Sequence, residues 1–119
     1  MWYVYLLSNG DRQTYVGMTN DISKRFHTHR CKLAAAARTT KRWNDCVLEA
    51  YISGIPDKRT ALSLEWHCKR SRRNSTGNQK IIKFVQGCLH SKFKGLSLTV
   101  HLRDLSLRPT LRNLLEMNI

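Results

Sequence analysis

The sequence predicts an α+β fold, a small and mainly antiparallel central sheet flanked by helices. Three observations predict it. Two aromatic and β-branched runs, WYVYLLS and QTYVGM, flank the turn residues Asn9-Gly10-Asp11 and read as a β-hairpin. Three segments, near 22–30, 57–70 and 80–90, carry apolar residues at helical spacing. A late run, LSLTVHL over 96–102, alternates as a half-buried strand does.

The elements follow in order. Residues 2–8 form the first strand and 13–18 the second. Thr19-Asn20-Asp21 supply N-cap oxygens for a helix running to about Arg30, with Ile22 and Phe26 on its core face. Residues 31–42, an Ala run followed by RTTKR, read as a basic loop. WNDCVLEAYIS, 43–53, ends in a strand that Gly54-Ile55-Pro56 should break. Asp57 opens a helix reaching about Arg70, and the polar stretch 71–79 connects it to a third helix, Lys80 to His90. That helix presents Ile81, Ile82, Phe84, Val85 and Leu89. The last seventeen residues predict a short helix after Pro109. A core is expected over 1–84, with 85–119 as an extension packed on the same domain.

Composition narrows the function. A chain of 119 residues suits one domain, and 41% hydrophobic content supports a real core. Twenty-one Lys and Arg against eight Asp and Glu give +13, an excess that points to a polyanionic partner, nucleic acid before membrane. No apolar run approaches the ~20 residues of a membrane span, and the start lacks the pattern of a signal peptide. An intracellular place, nucleus or cytoplasm, is expected. Cys31, Cys46, Cys68 and Cys88 form no CxxC pair, which argues against zinc and for buried free thiols.

Four constellations carry chemistry. Tyr3 and Tyr5 share one face of the first strand, with Tyr15 and Gly17 on the second; core packing alone would also explain them. Arg25 and His29 stand one helical turn apart at the edge of a buried face and could clamp a phosphate, or simply be solvated. In the helix 57–70, Ala61, Leu64 and Cys68 form a buried stripe, and Glu65 falls within it. A carboxylate there is costly without a partner, a hydrogen bond or a metal, unless the face is bent or rotated and Glu65 is simply solvated. The remaining acids are too dispersed for a two-metal centre, whereas one Glu can hold a Mg²⁺ that keeps its waters. Lastly, Lys32, Arg38, Lys41, Arg42, Lys69, Arg70, Arg72 and Arg73 form a basic set suited to phosphate contact.

Together these residues resemble the GIY-YIG nuclease superfamily. Tyr3-Val4-Tyr5 stands where the family has GIY, and Tyr15-Val16-Gly17 where it has YIG. Thr19 to Phe26, with His29, resembles its Arg-bearing helix. Trp43, Ser53-Gly54-Ile55-Pro56 and Ala61-Leu62-Ser63-Leu64-Glu65-Trp66 are most similar to the Slx-type branch, the catalytic subunit of a structure-selective endonuclease that cuts branched DNA. The resemblance covers roughly residues 2–102. It implies Tyr5 and Tyr15 as motif tyrosines, one helping to activate water, and Arg25 as stabiliser of transition-state charge. It further implies His29 as proton-transfer or phosphate group, Glu65 as ligand of Mg²⁺ or Mn²⁺, and Gly17 as the residue that admits the strand beside the site.

Tyr3 departs from the family's first Gly, and Met18 stands where some relatives have Lys. The Slx-type zinc module that docks a scaffold protein is not in this sequence, as in a trimmed or minimal, virus-encoded form. A scaffold partner or a homodimer is therefore the open expectation beside DNA. The implied function is metal-dependent hydrolysis of branched DNA. Its rivals are a non-catalytic basic DNA-binding protein and a sequence-specific nuclease of homing or restriction type.

Overall fold

Aromatic and β-branched residues on either side of a turn favour paired strands, and the hairpin forms as its composition requires. The computed structural model describes residues 1–9, 13–30, 46–71 and 78–110. Strand β1 (Trp2–Ser8) pairs antiparallel with β2 (Thr14–Thr19), one residue later than expected for the second strand. Helix α1 (Ile22–Arg30) follows. Strand β3 (Val47–Ile55) pairs with the other side of β1, and β4 (Thr99–Leu102) pairs with β3. The sheet is therefore antiparallel throughout, in the order β2-β1-β3-β4, with β2 and β4 at its edges.

Alternation along β1 sorts its side chains between two cores. Val4 and Leu6 join Ala61, Leu64 and Cys68 of α2 (Lys58–Ser71) and Ile81, Phe84 and Val85 of α3 (Asn78–Gln86). Tyr5 and Leu7 point the other way and meet Cys46, with Ile22 and Phe26 of α1 packed beside them. Helices thus cover both faces. Each fully buried aliphatic side chain contributes on the order of 1.5–3 kcal/mol, so the central strand anchors the domain.

Three boundaries differ from expectation. The Gly54-Ile55-Pro56 stretch does not break the strand: Ile55 is buried and pairs with Trp2. Gly54 takes φ +87° with the Ser97 carbonyl against it, and the register shifts between Trp2 and Val4. It is a bulge, held because Ile55 gains more from burial than a turn would give. The third helix starts at Asn78 and tightens into a 3₁₀ turn at Gly87–Leu89. There Gly87 lies so close to α2 that a Cβ would stand 2.8 Å from Cys68 Cα. Of the alternating run 96–102, the ladder takes only Thr99–Leu102, while Leu96 and Leu98 pack on the core.

Residues 108–110 are helical, and the rest of the expected terminal helix lies outside the described residues. The same holds for Cys31, for the basic loop at 31–42 and for most of the polar connection after α2. Cys46, Cys68 and Cys88 are free thiols. Among the described residues no helix is long and apolar enough to cross a membrane.

Candidate active site

The site is built where α1 crosses the hairpin. Asp21 caps α1, its Oδ1 accepting the Lys24 amide at 3.1 Å, and the Thr19 hydroxyl accepts the Asp21 amide at 3.1 Å. These two bonds fix how the helix leaves β2. Its residues 25 and 29 then project onto the sheet face that carries Tyr5.

Tyr5 sits opposite Gly17 in the β1–β2 register. Its ring lies across that glycine: a Cβ on residue 17 would stand 2.6 Å from Tyr5 Cζ and 3.0 Å from Tyr15 Cε1. The missing side chain, rather than any backbone freedom, is what residue 17 contributes. It lets the phenol reach over the edge strand.

The phenol oxygen is held from two sides. Arg25 Nε donates to it at 3.3 Å, and it lies 2.9 Å from His29 Nε2. With Arg25 donating, the phenolic proton is free to point at Nε2, which assigns His29 the Nδ1–H tautomer. The rings of Tyr5, Tyr15 and His29 form a triangle with centroids 6.3, 5.8 and 5.3 Å apart. Burial pushes the Tyr5 pKa up to about 12, with the Arg25 hydrogen bond opposing and the charges of Tyr15 and Glu65 adding. Burial also pulls His29 down to about 4, helped by the Arg25 charge. At neutral pH the pair is therefore a phenol and a neutral imidazole, with an acceptor already aimed at the phenol's proton.

This corrects the picture of Arg25 and His29 side by side on a phosphate. Arg25 is half-buried, but His29 is 1% exposed and its Nε2 engages Tyr5. The His29 ring is thus covered, with Nε2 turned to the Tyr5 hydroxyl.

Glu65 comes from the opposite layer. Asp57 caps α2 through the Thr60 amide at 2.8 Å, and Ala61, Leu64 and Cys68 form the expected buried stripe. Glu65 lies beside that stripe, not in it: its side chain is 19% exposed and pairs with Lys69 Nζ at 2.7 Å. Helix α2 packs against β1 and β2, and the Glu65 charge is felt at the Tyr5 phenol across that edge.

The donor set fits one hydrated divalent ion. Among the described residues there is no group of three His, Cys, Asp or Glu side chains that could hold a metal. The other described carboxylates have partners: Asp21 and Asp57 cap helices, Asp104 accepts from Ser106, and Glu49 accepts from Ser8 and Arg103. Among the described carboxylates, Glu65 is the more exposed of the two in ion pairs, 19% against 10% for Glu49, and its partner Lys69 is half-exposed. One carboxylate with water and phosphate oxygens is a normal Mg²⁺ environment.

Sequence reasoning missed Glu49, Tyr51 and His101. One register row across the sheet carries Gly17, Tyr5, Tyr51 and His101. Tyr51 stacks on His101 at 4.3 Å and 11°, and the Ser53 hydroxyl lies 2.9 Å from His101 Nε2. Glu49 is a buried structural anchor. Of the basic set, Lys69 is bound to Glu65 and Arg70 lies over the Trp66 ring at 5.1 Å. Lys32, Arg38, Lys41, Arg42, Arg72 and Arg73 lie outside the described residues.

The sequence also matches known proteins. The family model described as the GIY-YIG catalytic domain matches residues 1–80. A UPF0213 protein of Limosilactobacillus reuteri is 33% identical over 72 residues, 60% of this chain and 74% of its own length. A UPF0213 protein of Orgyia pseudotsugata multicapsid polyhedrosis virus is 36% identical over 75 residues, 60% of this chain and 67% of its own length. One from Vibrio parahaemolyticus is 36% identical over 69 residues, 58% of this chain and 62% of its own length.

Proposed function

Because the chain belongs to the GIY-YIG catalytic-domain family, a nuclease domain, we propose that it is a structure-selective DNA endonuclease. It hydrolyses phosphodiester bonds near flaps, forks or junctions with one divalent metal ion. The observation that carries the reading is the Tyr5 hydroxyl, held between Arg25 and His29 above a glycine. A merely structural phenol needs one partner; this one has a cation on one side and a neutral base on the other.

The roles follow. Water attacking the phosphate gives its proton to the Tyr5 oxygen as the phenolic proton passes to His29 Nε2, so no free phenolate is needed. Arg25 lies where it can offset charge developing on the phosphate oxygens. Tyr15 packs on the other two rings and fixes their positions. Glu65 would hold the ion, Mg²⁺ or Mn²⁺, exchanging its bond to Lys69 for it. The ion supplies positive charge that acidifies water and polarises the phosphate. Lys69, Arg70 and the basic residues at 32, 38, 41, 42, 72 and 73 contact backbone, which gives affinity without sequence readout.

Branch selectivity is supported by the likeness of Trp43, Ser53–Pro56 and Ala61–Trp66 to the Slx-type branch, and by a charge of +13, which favours backbone contact over base readout. A scaffold protein or a second copy remains the proposed partner beside DNA. The test is end-labelled linear, flap, fork and four-way DNA of several unrelated sequences, with Mg²⁺, Mn²⁺ or EDTA. Metal-dependent incision close to the branch in every sequence is expected. Cutting at one base sequence irrespective of branching would replace this reading with the restriction type.

A further inference from the structure

Helix α2 exposes two large apolar side chains one turn apart, Leu62 at 50% and Trp66 at 54%. Trp is highly buried on average, and here an open indole and a neighbouring leucine form one apolar patch. Leu62 and Lys69 lie three residues before and four after Glu65, and Trp66 follows it directly. Leu62 is therefore the part of the patch that neighbours the proposed metal ligand, and Trp66 stands one turn on from Leu62. The indole is also held in place. The Arg70 guanidinium lies over the ring at 5.1 Å, and the His67 ring meets it edge-on at 4.9 Å.

We propose that Trp66, with Leu62 beside it and Arg70 behind it, is a stacking site for an unpaired nucleobase next to the scissile phosphate. The proposal rests on the nuclease reading and names the feature of the substrate that it selects. A base offers a flat apolar face joined to an anionic backbone. The patch offers a flat apolar ring flanked by Arg70 and Lys69. A second copy of a chain carrying +13 would meet this cationic surface with its own, which disfavours self-association there. Continuous duplex hides its base faces within the stack, so Trp66 gains a partner only where the duplex is interrupted. An exposed ring on the helix of Glu65 would thereby convert a frayed base into correct placement of the neighbouring phosphate.

The test uses the full chain in EDTA, where nothing is cut. The probes are oligothymidylate, a fork with a single-stranded arm and a blunt duplex of equal length. The chain has three tryptophans, Trp2, Trp43 and Trp66. Oligothymidylate should quench the wild-type emission, and Trp66→Phe should lose that quench. Trp66→Ala should weaken oligothymidylate and the fork by roughly 10-fold, in line with loss of one stacked base. Blunt-duplex affinity and the slope of log Kd against log salt should stay as in wild type, because the phosphate contacts remain. Circular dichroism checks that each variant folds. Three results would overturn the proposal: a quench that survives in Trp66→Phe, equal loss on duplex and single strand, or an emission change that follows protein concentration without DNA. The last would assign the patch to a second copy. Quenching by oligothymidylate in a protein that cuts no DNA with Mg²⁺ or Mn²⁺ would keep the stacking site and remove the nuclease reading.

Discussion

The Tyr5 hydroxyl lies 2.9 Å from His29 Nε2, buried, with Arg25 donating to the same oxygen from the other side. Two groups that titrate far apart are thus joined by one hydrogen bond. Tyr5 holds its proton up to about pH 12, and His29 stays unprotonated down to about pH 4. Between these limits the proton sits on oxygen, with the unprotonated nitrogen as its acceptor.

Tyr5→Phe removes the relay atom and leaves the ring. Metal-dependent cleavage should fall by about 10²-fold or more, as for loss of a general acid–base group. The fold should persist but weaken by roughly 1–3 kcal/mol, since buried His29 loses a partner. Single-turnover cleavage and a thermal melt measure the two effects separately. Full activity in this variant would return Tyr5 to core packing.

The depressed His29 pKa also has a stability consequence. In the unfolded chain the imidazole titrates near 6.5, and in the fold near 4. Between these values the unfolded state holds more protons, so stability falls as pH falls from 6.5 to 4 and is untouched by this group above 6.5. The loss is about 3 kcal/mol at most. His67, also lowered by burial and then by His90, adds to the same slope. His29→Gln should flatten most of the slope in urea melts between pH 4 and 6.5. An unchanged slope would show that His29 is not the buried neutral group.

Gly17→Ala tests the close approach. The new methyl would stand 2.6 Å from Tyr5 Cζ, so ring or strand must shift. Displacing a reacting group by such an amount can cost on the order of 10² in rate, while overpacking costs about 1–3 kcal/mol. Cleavage should drop far more than DNA affinity measured in EDTA. Comparable losses in both would mean that the variant has disturbed the surface and not the phenol.

Much of this was legible in the chain, for reasons that can be named. Period-two alternation put Tyr3 and Tyr5 on one face, and the i, i+3, i+7 spacing of Ala61, Leu64 and Cys68 set the buried side of α2. Depth was not legible. Helical spacing puts His29 beside Arg25 but does not say that the hairpin rings close over one and leave the other half-open. Glu65 read as part of the stripe because it stands one turn from Ala61, and periodicity does not register that its carboxylate turns to Lys69 at the rim. The Tyr51–His101 stack needs the register of strands fifty residues apart, which no local pattern holds. At Gly54 a local break signal lost to the burial of Ile55.

Glu65→Gln tests the metal assignment. The amide keeps the shape but loses the charge that would attract a divalent ion, and it releases Lys69 from a 2.7 Å ion pair. Two consequences have opposite sign. Cleavage should fall by at least about 10²-fold, as when a charged catalytic group is removed. DNA affinity in EDTA should hold or rise, because one repulsive carboxylate is gone and one lysine is freed for phosphate. The salt dependence separates this from a packing effect: an added phosphate contact steepens the slope of log Kd against log salt by up to about one unit. A side chain 19% exposed at the rim should tolerate the change with little loss of stability, which a thermal melt checks. Normal cleavage by Glu65→Gln at limiting Mg²⁺ would mean that the ion is held elsewhere.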